Sequence, residues 1–185
     1  MIIDGVEMRA LERADAAGLA EAFTRNRAAM AHVEPVRPAA FYTEQGQRGR
    51  IEGALADRDA GRLLPYVFVE TATGAPVGAI NLGSIVLGPL CSGGVGYWVD
   101  RAWHGRGLAT AAVEEVCRIA RDEVGLHRVE AGTLVDNLAS QRVLAKAGFE
   151  QYGLAPRYLH IAGAWRDHRL FQRLLHDEPP GHQAL

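Results

Sequence analysis

The spacing of apolar residues changes several times along the chain, and each change marks an element. Residues 5–11 read as a short strand. Residues 15–27 repeat apolar positions at helical spacing, with Asp15 placed to cap the helix. A loop punctuated by Pro35 and Pro38 occupies residues 32–45, and a second helix runs from about 45 to 58. The pattern then turns strand-like over residues 65–70 and 75–87, with the turn signal "TATG" between them, and again over 93–99. A Gly-rich turn opens a helix that should stop near Gly125. Residues 127–135 form a strand and 137–149 a helix ending at Gly148, before a closing pair of strands over 152–161 and 165–175.

The order β, α, α, β, β, β, α, β, α, β, β predicts a mixed α/β (α+β) fold. Its sheet should be largely antiparallel, with about seven strands and one βαβ unit around the Gly-rich turn. The 185 residues suit a single domain spanning 1–185, with a core over about 5–174 and a fraying tail over about 176–185.

Composition narrows the function. Charge is 20 − 22 = −2, and the basic residues are scattered arginines with Lys146 the only lysine. No basic field therefore points to nucleic acid or an anionic membrane. Cys91 and Cys117 make no disulfide framework, and no metal spacing links either to a histidine. The N-terminus does not read as a signal peptide, and no apolar run approaches the roughly 20 residues of a membrane span. A cytoplasmic location is the expectation.

The stretch "RAWHGRGLATAAVEEV", residues 101–116, carries the first chemistry. A helix N-terminus leaves about four amides without partners and carries roughly half a positive charge. Gly105 and Gly107 remove side chains and permit unusual dihedrals, so such a turn can wrap a diphosphate. An ordinary strand-to-helix loop would also use glycines. The stretch is not a Walker A loop, because Leu108 follows Gly107, and it does not complete a dinucleotide fingerprint.

Taken with "HRVEAGTLVDNLASQRVLAKAGF" and "WRDHRLF", the segment "GYWVDRAWHGRGLATAAV" resembles the GNAT acyltransferase superfamily. More narrowly, it resembles the RimJ/RimL-type ribosomal-protein N-terminal acetyltransferases, over about residues 5–174. The resemblance implies a GNAT fold with helices on both faces of the sheet, and acetyl-CoA as cosubstrate without a metal. It places the CoA diphosphate on His104, Gly105, Arg106, Gly107, Leu108, Ala109 and Thr110, with His104 standing where the family carries Gln or Arg. Arg106 could add charge or be simply solvated. Strand residues 97–99, including Trp98 and Val99, would pair with the pantetheine arm, although Trp98 also fits a core position. Asn137 would contact pantetheine and Ser140 would lie near the CoA sulfur, able to protonate the departing thiolate. The local alternative is that Asp136 or Asn137 caps a helix and Ser140 packs.

Many relatives carry a glutamate base where this chain has Gly94. His160, on a late strand bordering the acceptor cleft, is a candidate catalytic base, or an exposed strand histidine. Glu34 and Glu44 could bind a cationic acceptor, or be solvated. Asp167 matches a position taken as structural. The reading is acetyl transfer to a primary amine, with an N-terminal α-amine favoured. A small-molecule amine and a non-catalytic acyl-CoA-binding regulator are the alternatives. Dimers are common in the family, but no stripe in this sequence marks a homodimer.

Overall fold

A computed structural model describes residues 1–179. The element order is the expected one: β1 (Val6–Ala10), α1 (Ala16–Met30), α2 (Glu44–Asp59), β2 (Leu63–Glu70), β3 (Pro76–Val86), β4 (Ser92–Val99), α3 (Leu108–Ile119), β5 (Arg128–Leu134), α4 (Leu138–Lys146), β6 (Glu150–Ile161) and β7 (Ala164–Leu174). The seven strands form one sheet in the order β1-β2-β3-β4-β5-β7-β6. Every neighbouring pair is antiparallel except β4 and β5, the two strands joined through α3.

That parallel pairing is short. It joins Ser92, Gly93 and Gly94 to Arg128, Val129 and Glu130 and then stops. Beyond it, β5 continues on β7 and β4 continues on β3. The two strands part in the middle of the sheet, and the β4 edge over residues 95–99 has no strand beside it there.

Alternation along β4 and β5 assigns the two faces. Val95, Val129 and Ala131 are buried in the larger core with Leu108, Val113, Val116 and Leu144 of α3 and α4. The even-numbered residues Gly94, Gly96, Trp98 and Glu130 therefore point to the opposite face. There a second cluster forms from Leu19, Phe23, Ile51, Leu55 and Val67, with Trp98 packed against it.

Two sequence expectations change in detail. Asp15 does not cap α1; no side-chain cap bond forms there. Its buried carboxylate accepts the Glu12 amide at 2.8 Å and pairs with Arg9 at 2.6 Å, so it fastens the entry to α1 onto β1. The third helix stops at Ile119 and runs into a π-turn over Ala120–Val124, which Gly125 ends at φ 75°. Only that final stop matches the pattern, because glycine takes the left-handed conformation at little cost.

Residues 180–185 of the expected tail lie outside the described residues. At the tail's start, the amide of Leu175 donates to the His127 carbonyl at 2.8 Å. Among the described residues no helix is long and apolar enough to cross a membrane.

Candidate active site

The site is built where β4 and β5 part. Asp100 ends β4 and sets the turn that follows. Its carboxylate accepts the Ala102 amide at 2.9 Å, Asn26 Nδ2 at 2.8 Å and Arg25 Nε at 2.5 Å. Burial opposes its charge, but these donors outweigh burial and hold the carboxyl below the ordinary carboxylate range. Asn26 also accepts the Arg101 amide at 2.9 Å. Helix α1 and the strand end are thereby locked together, and the Gly-rich turn leaves from a fixed point. Asp100 and Asn26 lie 74 residues apart in sequence, so no local motif announced them.

In the turn, His104 Nε2 donates to the Val99 carbonyl at 2.9 Å, and Arg106 lies 4.6 Å over the Trp103 ring. Gly105 and Gly107 take φ of 74° and 84°, and a side chain on either would meet open space. Gly107 precedes Leu108, the first residue of α3. None of the six consecutive amides from 105 to 110 finds an acceptor among the described residues. Leu108 itself is buried and anchors the helix. Ala109 and Thr110 complete the first turn, so the predicted residues 104–110 form one continuous cradle.

Helix α4 begins across the gap. Asn137 Oδ1 accepts the Ser140 amide at 3.1 Å, which is the local capping role. The two amide hydrogens of Asn137 remain for another partner. Tyr97 Oη lies 2.8 Å from Ser140 Oγ, a contact bridging β4 and α4. Burial pushes the phenol up to about 12, partly offset by Ser140. Tyr97 is therefore protonated at neutral pH and can donate. Thr133 Oγ1, on the same face of β5, is buried with no hydrogen-bond partner among the described residues. These side chains give the gap beside the β4 edge a polar lining. Tyr97 entered the sequence reading only through its backbone; its side-chain contact with Ser140, and Thr133 altogether, escaped because both depend on packing between distant segments.

Trp98 turns the other way. Its ring packs on Phe23 at 4.6 Å, so the side chain belongs to the second core cluster and only its backbone faces the gap. Val99 adds its carbonyl to the turn through His104.

On that second face, Gly94 is the register partner of Glu130. Paired residues of parallel strands present their side chains to the same side. The position lacking a glutamate on β4 thus has one on the adjacent strand. Glu130 Oε1 accepts from Tyr152 Oη and from Arg128, both at 2.7 Å, and the residue is half-buried. Burial first, then the Glu130 contact, pushes the Tyr152 phenol up to about 12.

His160 lies elsewhere, near the end of the β6–β7 hairpin. It is exposed, with its ring 5.5 Å from Trp165. The hairpin tip reaches the loop after α1, where the Ala162 amide donates to the Glu34 carbonyl at 3.0 Å. Glu34 pairs with Arg37 at 3.0 Å and Glu44 with Arg48 at 2.7 Å. Asp167 accepts the Arg157 amide at 2.8 Å, holding a left-handed residue in the β6 bulge.

Comparison with known proteins agrees with this geometry. Residues 6–150 match the acetyltransferase (GNAT) domain family. The probable N-acetyltransferase YjcK of Bacillus subtilis is 33% identical over 94% of this chain and 96% of its own. The ribosomal-protein-S5-alanine acetyltransferase of Vibrio fischeri superposes with TM-score 0.91 at 31% identity, covering 96% of this chain and 97% of that one. Mycobacterium smegmatis RimJ, solved with CoA-disulfide, superposes with TM-score 0.86 at 32% identity, covering 91% and 81%.

Proposed function

Because this chain belongs to the GNAT acetyltransferase family, we propose that it moves the acetyl group of acetyl-CoA onto the N-terminal α-amine of a protein or peptide, by direct attack within a ternary complex. The observation that carries this reading is the run of free amides at the head of α3, beside a β4 edge that has parted from β5.

The pieces fit CoA in order. Amides 105–110 and the helix dipole hold the diphosphate. The β4 edge over residues 95–99 pairs with the pantetheine arm, and the Asn137 amide group meets it from α4. A β4 amide stabilises the oxyanion on the thioester carbon. Ser140 gives its proton to the departing sulfur while Tyr97 donates into Ser140 Oγ, which frees the Ser140 hydrogen to point at the thiolate; solvent returns a proton to Ser140 and takes one from Glu130 as the products leave. On the opposite face, the acceptor amine lies over Gly94 and Gly96. As the C–N bond forms, the carboxylate of Glu130 takes the proton the nitrogen sheds. We place the base at Glu130, and His160 is its rival.

The acceptor follows from proton affinity. An α-amine titrates at about 7.7–8.0 and a lysine amine at about 10.4. At pH 7, freeing the first costs about 1 kcal/mol and the second about 4.6 kcal/mol. A carboxylate base suits the easier task. The similar protein named for alanine acetylation of a ribosomal protein supports the same choice. Two otherwise identical peptides, one with a free N-terminus and one blocked there but carrying lysine, provide the test through thiol release. The free N-terminus should react at least about tenfold faster, and a preference for lysine would refute the assignment.

A further inference from the structure

One feature of the second face has no role in the chemistry above. A cavity of about 170 Å³ lies between the end of α1 and the loop leading to α2, with Arg27, Glu34, Arg37 and Phe41 in its wall. Two guanidiniums, those of Arg27 and Arg37, stand in its wall, and a third, that of Arg50, lies beside it on its Phe23 lining. Arg27 lies 4.5 Å from the centre of the Tyr42 ring, Arg37 4.8 Å from Phe41, and Arg50 5.3 Å from Phe23.

The negative charge there does not balance them. Glu34 answers Arg37. Among the described residues Arg27 and Arg50 form no ion pair. Arg50 is half-buried and spends only its Nε, on Gln47 Oε1 at 2.9 Å. Arg37 Nε is buried with no acceptor among the described residues. Burial lowers the Arg50 pKa, the nearby Arg37 lowers it further, and Glu34 only partly restores it. A cation drawn out of water beside another cation is costly unless an anion joins it. Arginine is also the side chain best shaped to grip a carboxylate with paired donors.

The cavity adjoins the reaction. Two successive ring contacts, Trp98 to Phe23 at 4.6 Å and Phe23 to Arg50 at 5.3 Å, lead to it from β4. The β6–β7 hairpin tip closes on Glu34 at its rim. An extended peptide advances about 3.3–3.6 Å per residue. A side chain one to three residues beyond the acceptor amine therefore reaches these arginines.

Building on the acceptor reading above, we infer that this cavity selects acceptors carrying an aspartate or glutamate within the first few residues after the reacting N-terminus, held by Arg27 and Arg37 in its wall with Arg50 adding its charge from beside Phe23. The rule is a recognition of charge, independent of the acetyl chemistry.

The test is equilibrium binding to the CoA-saturated enzyme, using the peptides Ala-Gly-Glu-Gly and Ala-Gly-Gln-Gly at low salt. The acidic peptide should bind at least about tenfold tighter. In Arg50→Gln that ratio should fall below about threefold, and Arg50→Lys should recover part of it. Equal affinity of the two peptides for the parent enzyme would overturn the inference. So would free glutamate binding as tightly as the acidic peptide. Thiol release on the same samples separates this inference from the function. A charge preference without transfer to either peptide would leave the anion site standing and overturn the acceptor reading. Transfer to both with no preference would do the reverse.

Discussion

Replacing Glu130 by glutamine is expected to lower kcat for an N-terminal peptide by about 10²–10⁴-fold, the usual weight of a general base. The reason is positional. Glu130 is the register partner of Gly94 and points to the face that carries Gly96 and Trp98. Glutamine keeps the shape and the hydrogen-bond reach but cannot take a proton. The residual rate should then climb with pH toward the amine's own range of about 7.7–8.0, more steeply than in the parent. Glu130 also holds Tyr152 and Arg128, so a structural cause must be separated. Tyr152→Phe removes the phenol contact and leaves the carboxylate, and should cost less than about threefold. His160→Gln should cost equally little. A small loss in Glu130→Gln together with a large one in His160→Gln would move the base to the hairpin.

Ser140→Ala is expected to reduce kcat by about 10²–10³-fold while CoA affinity stays within about twofold. The hydroxyl acts on a charge that appears only as the thioester breaks, so its loss should spare ground-state binding. Tyr97→Phe should show the same split at smaller size, about tenfold in kcat, because Ser140 keeps its proton but loses the hydroxyl partner that orients it. The Asn137 cap on the Ser140 amide survives both changes, so α4 should remain folded. A rise in the CoA dissociation constant matching the fall in kcat would show that the pair packs against the cosubstrate and plays no part in the proton's path.

These roles divide by how far apart their residues lie in sequence. The element order was legible because it is written locally. Gly107 opens α3, Gly125 and Gly148 stop what precedes them, and the apolar face of α3 repeats from Leu108 through Ala112, Val116 and Ile119. The Gly-rich turn before α3 was legible for the same reason, since turn and helix start are contiguous. What escaped depends on contacts that no window spans. Tyr97 meets Ser140 across 43 residues, and Asp100 meets Asn26 across 74. The placement of Glu130 beside Gly94, on which its proposed role rests, follows from a three-residue parallel register that only the assembled sheet defines. Asp15 stands at the N-cap position that the pattern gave, but Arg9 on the neighbouring strand draws its carboxylate aside and no cap bond forms. The arginine cluster lies in and around an irregular loop, where no period predicts which side chains converge.

The central claim is that amides 105–110 clasp the diphosphate of CoA. Calorimetric titration of the purified chain with CoA and, separately, with pantetheine tests it most directly, because the two share the thiol arm and differ by the diphosphate and nucleotide. One equivalent of CoA should bind per chain, at least about a hundredfold tighter than pantetheine, a difference of about 2.8 kcal/mol. No uptake of CoA, or pantetheine binding as tightly as CoA, would contradict it.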